Sequence, residues 1–114
     1  MAFRITITDE AEAQLRDLPA RERRALEASI LARLRDRPTT PTRAIKQLRP
    51  NLFADFELRA GDLRVLYNVE GEEVVLLIVG RKVGNTLIVG GEEFHEHQAN
   101  PPEPPGGGPT RGPE

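Results

Sequence analysis

Four basic side chains, Arg59, Arg64, Arg81 and Lys82, fall in or at the rims of three successive apolar runs. The stretch Phe56–Tyr67 alternates as a strand does, turns at Gly61-Asp62 and alternates again. Val74–Val79 follows and ends in Gly80-Arg81-Lys82. An arginine carries a rigid, permanently charged fork that matches two oxygens of a phosphate. Such a strip is either a surface that grips something negative or the solvated rim of a sheet. For Arg64 the competing role is a salt bridge with Glu57, Asp62 or another acidic neighbour across the sheet. Lys46 and Arg49, just before the hairpin, would extend the patch.

Groups for proton transfer at neutral pH are scarce. His95 and His97 are the chain's histidines, and an unperturbed imidazole suits that task. Their i,i+2 spacing on a strand would put them on one face, which also suits a metal site with Glu93 or Glu96. Against both stands a frayed end beyond the last strand, without the rigid support a catalytic base needs. Tyr67, the single tyrosine, reads as a sheet-packing residue with its hydroxyl at the rim. Gly80, Gly84, Gly90 and Gly91 mark turns, and no glycine-rich stretch joins a strand to a helix as a phosphate loop requires. The chain has no cysteine, which excludes disulfides, thiolate zinc sites and cysteine nucleophiles. No metal and no cofactor is expected.

The elements that would position these groups follow from periodicity. Phe3–Thr8 alternates as a first strand with Phe3, Ile5 and Ile7 inward. Asp9, three before Glu12, has capping-box spacing and opens a helix over Glu10–Leu18 with Ala11, Leu15 and Leu18 as its apolar stripe. Pro19 stops that helix. Leu26, Ile30 and Leu34 recur every four residues in a second helix from Ala20 or Arg21 to about Arg35. The two helices make a hairpin across one face of the sheet. Ala44–Leu48 is expected to form a short helical turn. Strands are expected at Asp55–Arg59, Leu63–Val69, Val74–Val79 and Thr86–Val89, the first three joined by links short enough to enforce hairpins. The fold class is therefore α+β: an N-terminal strand, a helical hairpin, then a three- to four-stranded antiparallel meander.

At 114 residues the chain holds one domain. Residues 1–98 are expected to fold, and residues 99–114, rich in Pro and Gly, to form a disordered tail too poor in apolar groups to offset its ordering entropy. The longest of the apolar runs, Val74–Val79, is far too short to span a membrane, and the N-terminus lacks a secretory apolar region. A cytoplasmic protein without a membrane partner is expected. The formal net charge of −2 divides unevenly. Residues 1–54 hold 11 Arg or Lys against 7 Asp or Glu, and residues 55–114 hold 5 against 11. That argues against coating nucleic acid by bulk electrostatics while leaving room for a local basic patch.

Three segments together, Lys46-Gln47-Leu48-Arg49, Glu57–Tyr67 and Val79-Gly80-Arg81-Lys82, in this order of elements, resemble the RelE/ParE family of bacterial type II toxins. The resemblance covers about residues 3–90. It implies a toxin neutralised by a cognate antitoxin protein. RelE-branch members cut messenger RNA in the ribosomal A site, and ParE-branch members poison DNA gyrase. It therefore implies an endoribonuclease acting with ribosome and mRNA, or a gyrase inhibitor without catalysis, or an inactive antitoxin-binding relative. By this resemblance Arg64 takes the arginine of a Gly-Asp-Tyr-Arg motif, and Arg81 or Lys82 the basic residue after Val-Gly. The chain departs from the family pattern in carrying Asp55 and Glu57 at positions of two lysines, and no tyrosine after Tyr67. Some relatives use a glutamate and a C-terminal histidine, a pair that Glu57 with His95 or His97 would imitate. RNA cleavage needs a base for the 2′-hydroxyl, an acid for the leaving oxygen and positive charge at the phosphorus. The resulting candidates are Arg64, Arg81, Glu57 and His95 for catalysis, and Lys46, Arg49, Arg59 and Lys82 for RNA phosphates.

Overall fold

The alternating runs pair into ladders, and a computed structural model of the chain, describing residues 2–94, shows how. In chain order the elements are β1 (Arg4–Ile7), α1 (Asp9–Arg16), α2 (Ala20–Leu34), β2 (Ile45–Gln47), β3 (Phe56–Ala60), β4 (Leu63–Glu70), β5 (Glu73–Val83), β6 (Thr86–Val89) and β7 (Glu92–Phe94). β2 to β7 lie side by side in sequence order as one antiparallel meander, and β1 joins the sheet parallel to β5. The expected order of strand, two helices and meander is present. The sheet is longer than expected because both edges carry an extra short strand.

Side-chain alternation divides the sheet into two faces. Phe56, Leu58, Leu63, Val65, Tyr67, Val74, Leu76 and Val79 point to the helices and form the main core with Ala11, Leu15, Leu26, Ile30 and Leu34. The four-residue spacing of Leu26, Ile30 and Leu34 turns all three onto the sheet, each burial stabilising by roughly 1.5–3 kcal/mol. A smaller cluster of Ala54, Leu66 and Leu87, flanked by Leu48, Leu77, Ile78, Val89 and Phe94, occupies the opposite face.

β5 is the spine of the sheet. Its outer edge pairs first with β1 through Leu76 and then with β6 from Arg81 onward. The intervening edge is met by α1: Thr8 N donates to Leu76 O at 3.1 Å, Thr8 Oγ1 to Leu77 O at 3.4 Å, and Val79 N donates to Gln14 Oε1 at 2.8 Å. Backbone groups that would otherwise lack a strand partner are thereby satisfied. The β4–β5 register shifts between Leu66 and Tyr67, so that Leu66 faces Ile78 and Tyr67 faces Leu76. This bulge sets both Leu77 and Ile78 against the smaller cluster.

Several local expectations are corrected. Ala44–Leu48 is no helical turn: Ile45–Gln47 is β2, paired with β3, because Ile45 is buried and Ala44 O accepts from Arg59 N at 2.7 Å. α1 is capped by Thr8, whose hydroxyl accepts from Ala11 N at 3.1 Å, rather than by Asp9. The third meander strand runs on to Val83, since Arg81–Val83 pair with β6. Acidic Glu92–Phe94 forms a strand through its pairing with β6, and Phe94 meets Phe53 edge-on at 4.9 Å. The boundary near residue 98, the tail, His95 and His97 lie outside the described residues.

Candidate nucleic-acid interface

Gly61, at φ +63°, lets β3 turn into β4 through a two-residue loop, a conformation that costs glycine little. The register across that turn is direct: Ala60 faces Leu63, and Arg59 faces Arg64. Arg59 and Arg64 therefore share the face turned away from the helices, on strands about 5 Å apart. Lys46 is opposite Glu57 on the same face, and Lys82, opposite Leu87, lies there too. Five of the sequence candidates thus share one face: the basic Lys46, Arg59, Arg64 and Lys82, and the buried Glu57.

Two arginines directly across a ladder repel unless each is separately held. Arg59 Nε lies 3.4 Å from Glu57 Oε1. Arg64 Nη1 donates to two carbonyls of the turn, Gly61 O at 2.7 Å and Leu63 O at 2.9 Å. Among the described residues Arg64 has no carboxylate partner, for Glu57 is taken by Arg59 and Asp62 by Arg81. The salt bridge weighed for Arg64 is replaced by backbone acceptors, which orient the guanidinium without neutralising it. Glu57 is 3% exposed, a buried charge tolerable because it is paired.

Arg81 stands elsewhere. It is opposite Leu63 and Ile88, on the face that packs against α2. There Nη2 binds the Glu22 carboxylate, and Nη1 reaches Asp62 Oδ2 at 3.1 Å. The hydrogen bond to Glu22, then that to Asp62, hold the guanidinium still more firmly in its charged form. The pairing of Arg81 with Arg64 on one surface is therefore corrected. Alternation carried the signal: Arg81 shares parity with core Val79, and Lys82 does not. Arg49 is exposed on the loop after β2, where its carbonyl accepts from Asn51 Nδ2 at 2.8 Å.

Tyr67 is a packing residue. Its ring stacks on Phe56 at 5.5 Å, and its hydroxyl donates to Pro38 O at 2.6 Å inside the core. Burial pushes that hydroxyl well above the usual phenol range. Clefts of about 360 Å³ beside Gln14, Leu18 and Ile88 and about 300 Å³ beside Phe53, Ile78 and Phe94 are not lined by Lys46, Arg59, Arg64 or Lys82. Lys46, Arg59, Arg64 and Lys82 lie on four adjacent strands, which suits a ligand laid across them. Among the described residues no group of three or more His, Asp or Glu could hold a metal ion, and no helix is long and apolar enough to cross a membrane.

The N-terminal strand, two helices and following antiparallel sheet match a RelE-type toxin fold, as the resemblance implied. The chain is similar to a chain in the crystal structure of the toxin–antitoxin complex RelBE2 from Mycobacterium tuberculosis, with a TM-score of 0.60 and 28% sequence identity, over 72% of this chain and 100% of that one. This likeness supports a toxin role. No protein-family model matches the chain, and no curated protein does.

Proposed function

We propose that this chain is the toxin of a toxin–antitoxin pair and acts on RNA through the sheet face that carries Lys46, Arg59, Arg64 and Lys82. The observation that carries the reading is Arg64, a guanidinium oriented by two backbone carbonyls and left without a carboxylate. A charge held in place but not neutralised is what phosphate binding and phosphorane stabilisation require. Arg59, directly opposite, and Lys46 and Lys82 on the same face supply further phosphate contacts. The antitoxin partner is supported by the neighbour, which was solved as a toxin–antitoxin complex.

Cleavage of mRNA on the ribosome is the finer form of this reading. In it Arg64 neutralises the phosphorane, Arg59 and the lysines hold the flanking backbone, and Glu57 fixes Arg59. A second reading, inhibition of DNA gyrase without cleavage, is favoured by the burial of Glu57, which keeps the carboxylate paired with Arg59 from reaching a 2′-hydroxyl. Inducing the full chain alone and mapping mRNA ends in parallel with a supercoiling assay separates them. Growth arrest with cuts in translated messages, both relieved by Arg64→Ala, is expected. Lost supercoiling with intact messages overturns the RNA reading in favour of gyrase, and no arrest overturns the toxin role.

A further inference from the structure

The Gly61-Asp62 turn is gripped from both faces of the sheet. On the helix side Arg81 Nη1 donates to Asp62 Oδ2 at 3.1 Å and to Oδ1 at 3.3 Å, while its Nη2 is anchored on Glu22 in the first turn of α2. Between them the backbone closes the turn onto β5, Lys82 N donating to Asp62 O at 2.7 Å. On the other face Arg64 Nη1 takes the neighbouring carbonyls, Gly61 O and Leu63 O. The carbonyls that aim Arg64 therefore belong to the residues immediately before and after the one that Arg81 clamps.

We propose that Arg81 is a positioning residue for Arg64: by tying Asp62 to α2 it fixes the turn carbonyls that orient the phosphate-binding guanidinium on the opposite face. The inference rests on the reading of Arg64 as a phosphate ligand. Arg81 points away from that surface and does not touch the RNA. Its ion pairs are partly exposed, with side-chain exposures of 33% for Arg81, 36% for Glu22 and 57% for Asp62, so their loss costs little global stability. A turn released by Arg81 still closes through the β3–β4 ladder, but Gly61, with its permissive backbone, no longer holds its carbonyl in one direction.

The test is a double-mutant cycle on the full chain with a fluorescein-labelled, short single-stranded RNA as the probe, each variant first shown to be folded by urea unfolding. Arg64→Ala weakens binding about tenfold, the value of one charge-assisted hydrogen-bonding group. Arg81→Gln weakens it about threefold in the wild-type background and not at all in the Arg64→Ala background, since Arg81 acts only through Arg64. An Arg81→Gln effect of equal size in both backgrounds overturns the proposal while leaving the RNA reading intact. Glu22→Gln, which cuts the anchor at the helix, gives a smaller effect with the same coupling and serves if Arg81→Gln does not fold. A second readout is independent of RNA. The Arg64 Nη protons, hydrogen-bonded in the wild type, exchange faster by NMR in Arg81→Gln, and unchanged exchange overturns the proposal. If the wild type binds no RNA, the function reading fails and the exchange measurement alone decides the positioning role.

Discussion

Replacing Tyr67 by phenylalanine separates a buried hydrogen bond from the packing around it. The ring stays in the core and keeps its stack on Phe56 at 5.5 Å. What disappears is the hydroxyl that donates to Pro38 O at 2.6 Å, and the carbonyl of fully buried Pro38 is left without that donor. Stranding one buried acceptor costs about 1.5 kcal/mol, so Tyr67→Phe lowers the unfolding free energy by about that much near neutral pH.

The same bond makes a pH prediction with a definite sign. Burial raises the hydroxyl's pKa in the folded protein, whereas an unfolded tyrosine titrates near about 10. A raised folded pKa is stabilising below the unfolded value, and that stability is lost as pH climbs toward the folded one. The unfolded chain sheds its proton first and is drawn down by about 1.4 kcal/mol per pH unit. At about pH 11 the wild type has lost about 1.4 kcal/mol through Tyr67, nearly the whole advantage it held over the phenylalanine variant. Urea unfolding of both proteins across this range should show two stability curves that converge. All other ionisable groups are common to both proteins and cancel in the difference. Because Tyr67 is the chain's single tyrosine, tyrosinate absorbance reports its pKa directly. A constant gap between the two curves, or a native tyrosine that ionises like a free one, would refute the buried bond.

Three further outcomes are expected. Gly80→Ala places a Cβ 2.6 Å from the carbonyl oxygen of Ile88, a backbone atom that cannot swing aside, so it should destabilise by about 2 kcal/mol in urea unfolding and loosen β6 by amide exchange. Arg59→Ala should destabilise more than Glu57→Leu, since the first strands a carboxylate that is 3% exposed and the second frees an arginine that is already largely solvated. Equal costs in thermal unfolding would show that Glu57 finds another partner. If Lys46, Arg64 and Lys82 carry the binding of single-stranded RNA, log affinity should fall with log salt at a slope of about −2, and each alanine substitution should flatten it.

Local pattern carried much of the architecture. Alternation marked β3, β4 and β6, and the four-residue spacing of Leu26, Ile30 and Leu34 marked α2 and its buried face. What escaped was structure whose cause lies far along the chain. β2 has three residues, two of them exposed, so nothing local favours a strand; it exists because β3 offers an edge. β7 is acidic and equally short, and pairing with β6 and contact with Phe53 make it a strand. Thr8 displaced Asp9 as the cap because the chain leaves β1 already extended at Thr8, with ψ 162°, the backbone a cap requires. At the candidate site the hairpin residues were legible as a basic strip, yet the partners were not. Arg81 meets Glu22 across 59 positions, and no spacing rule reaches that far. With Asp62 and Glu57 each assigned to another arginine, Arg64 could be seen to stand without a carboxylate only in three dimensions.

That distribution of partners separates the two roles an arginine-bearing sheet can have. A sheet that needed its rims solvated would gain most from interleaved charges, and a pair such as Arg59 and Arg64, Cα partners across a ladder, would be disfavoured. Here the carboxylates are placed so that none of them relieves Arg64. Glu57 takes Arg59, and Glu22 with Asp62 takes Arg81 on the far face. Arg64 is compensated only by dipoles, which fix its direction but leave its full charge to the solvent side. In a chain whose net charge is −2 this local field attracts over a few ångströms and is screened beyond about 10 Å. Such a surface binds free nucleic acid more weakly than a broadly basic protein does. It can discriminate among phosphates already brought to it, which is the property needed by a toxin acting on RNA presented in a larger assembly.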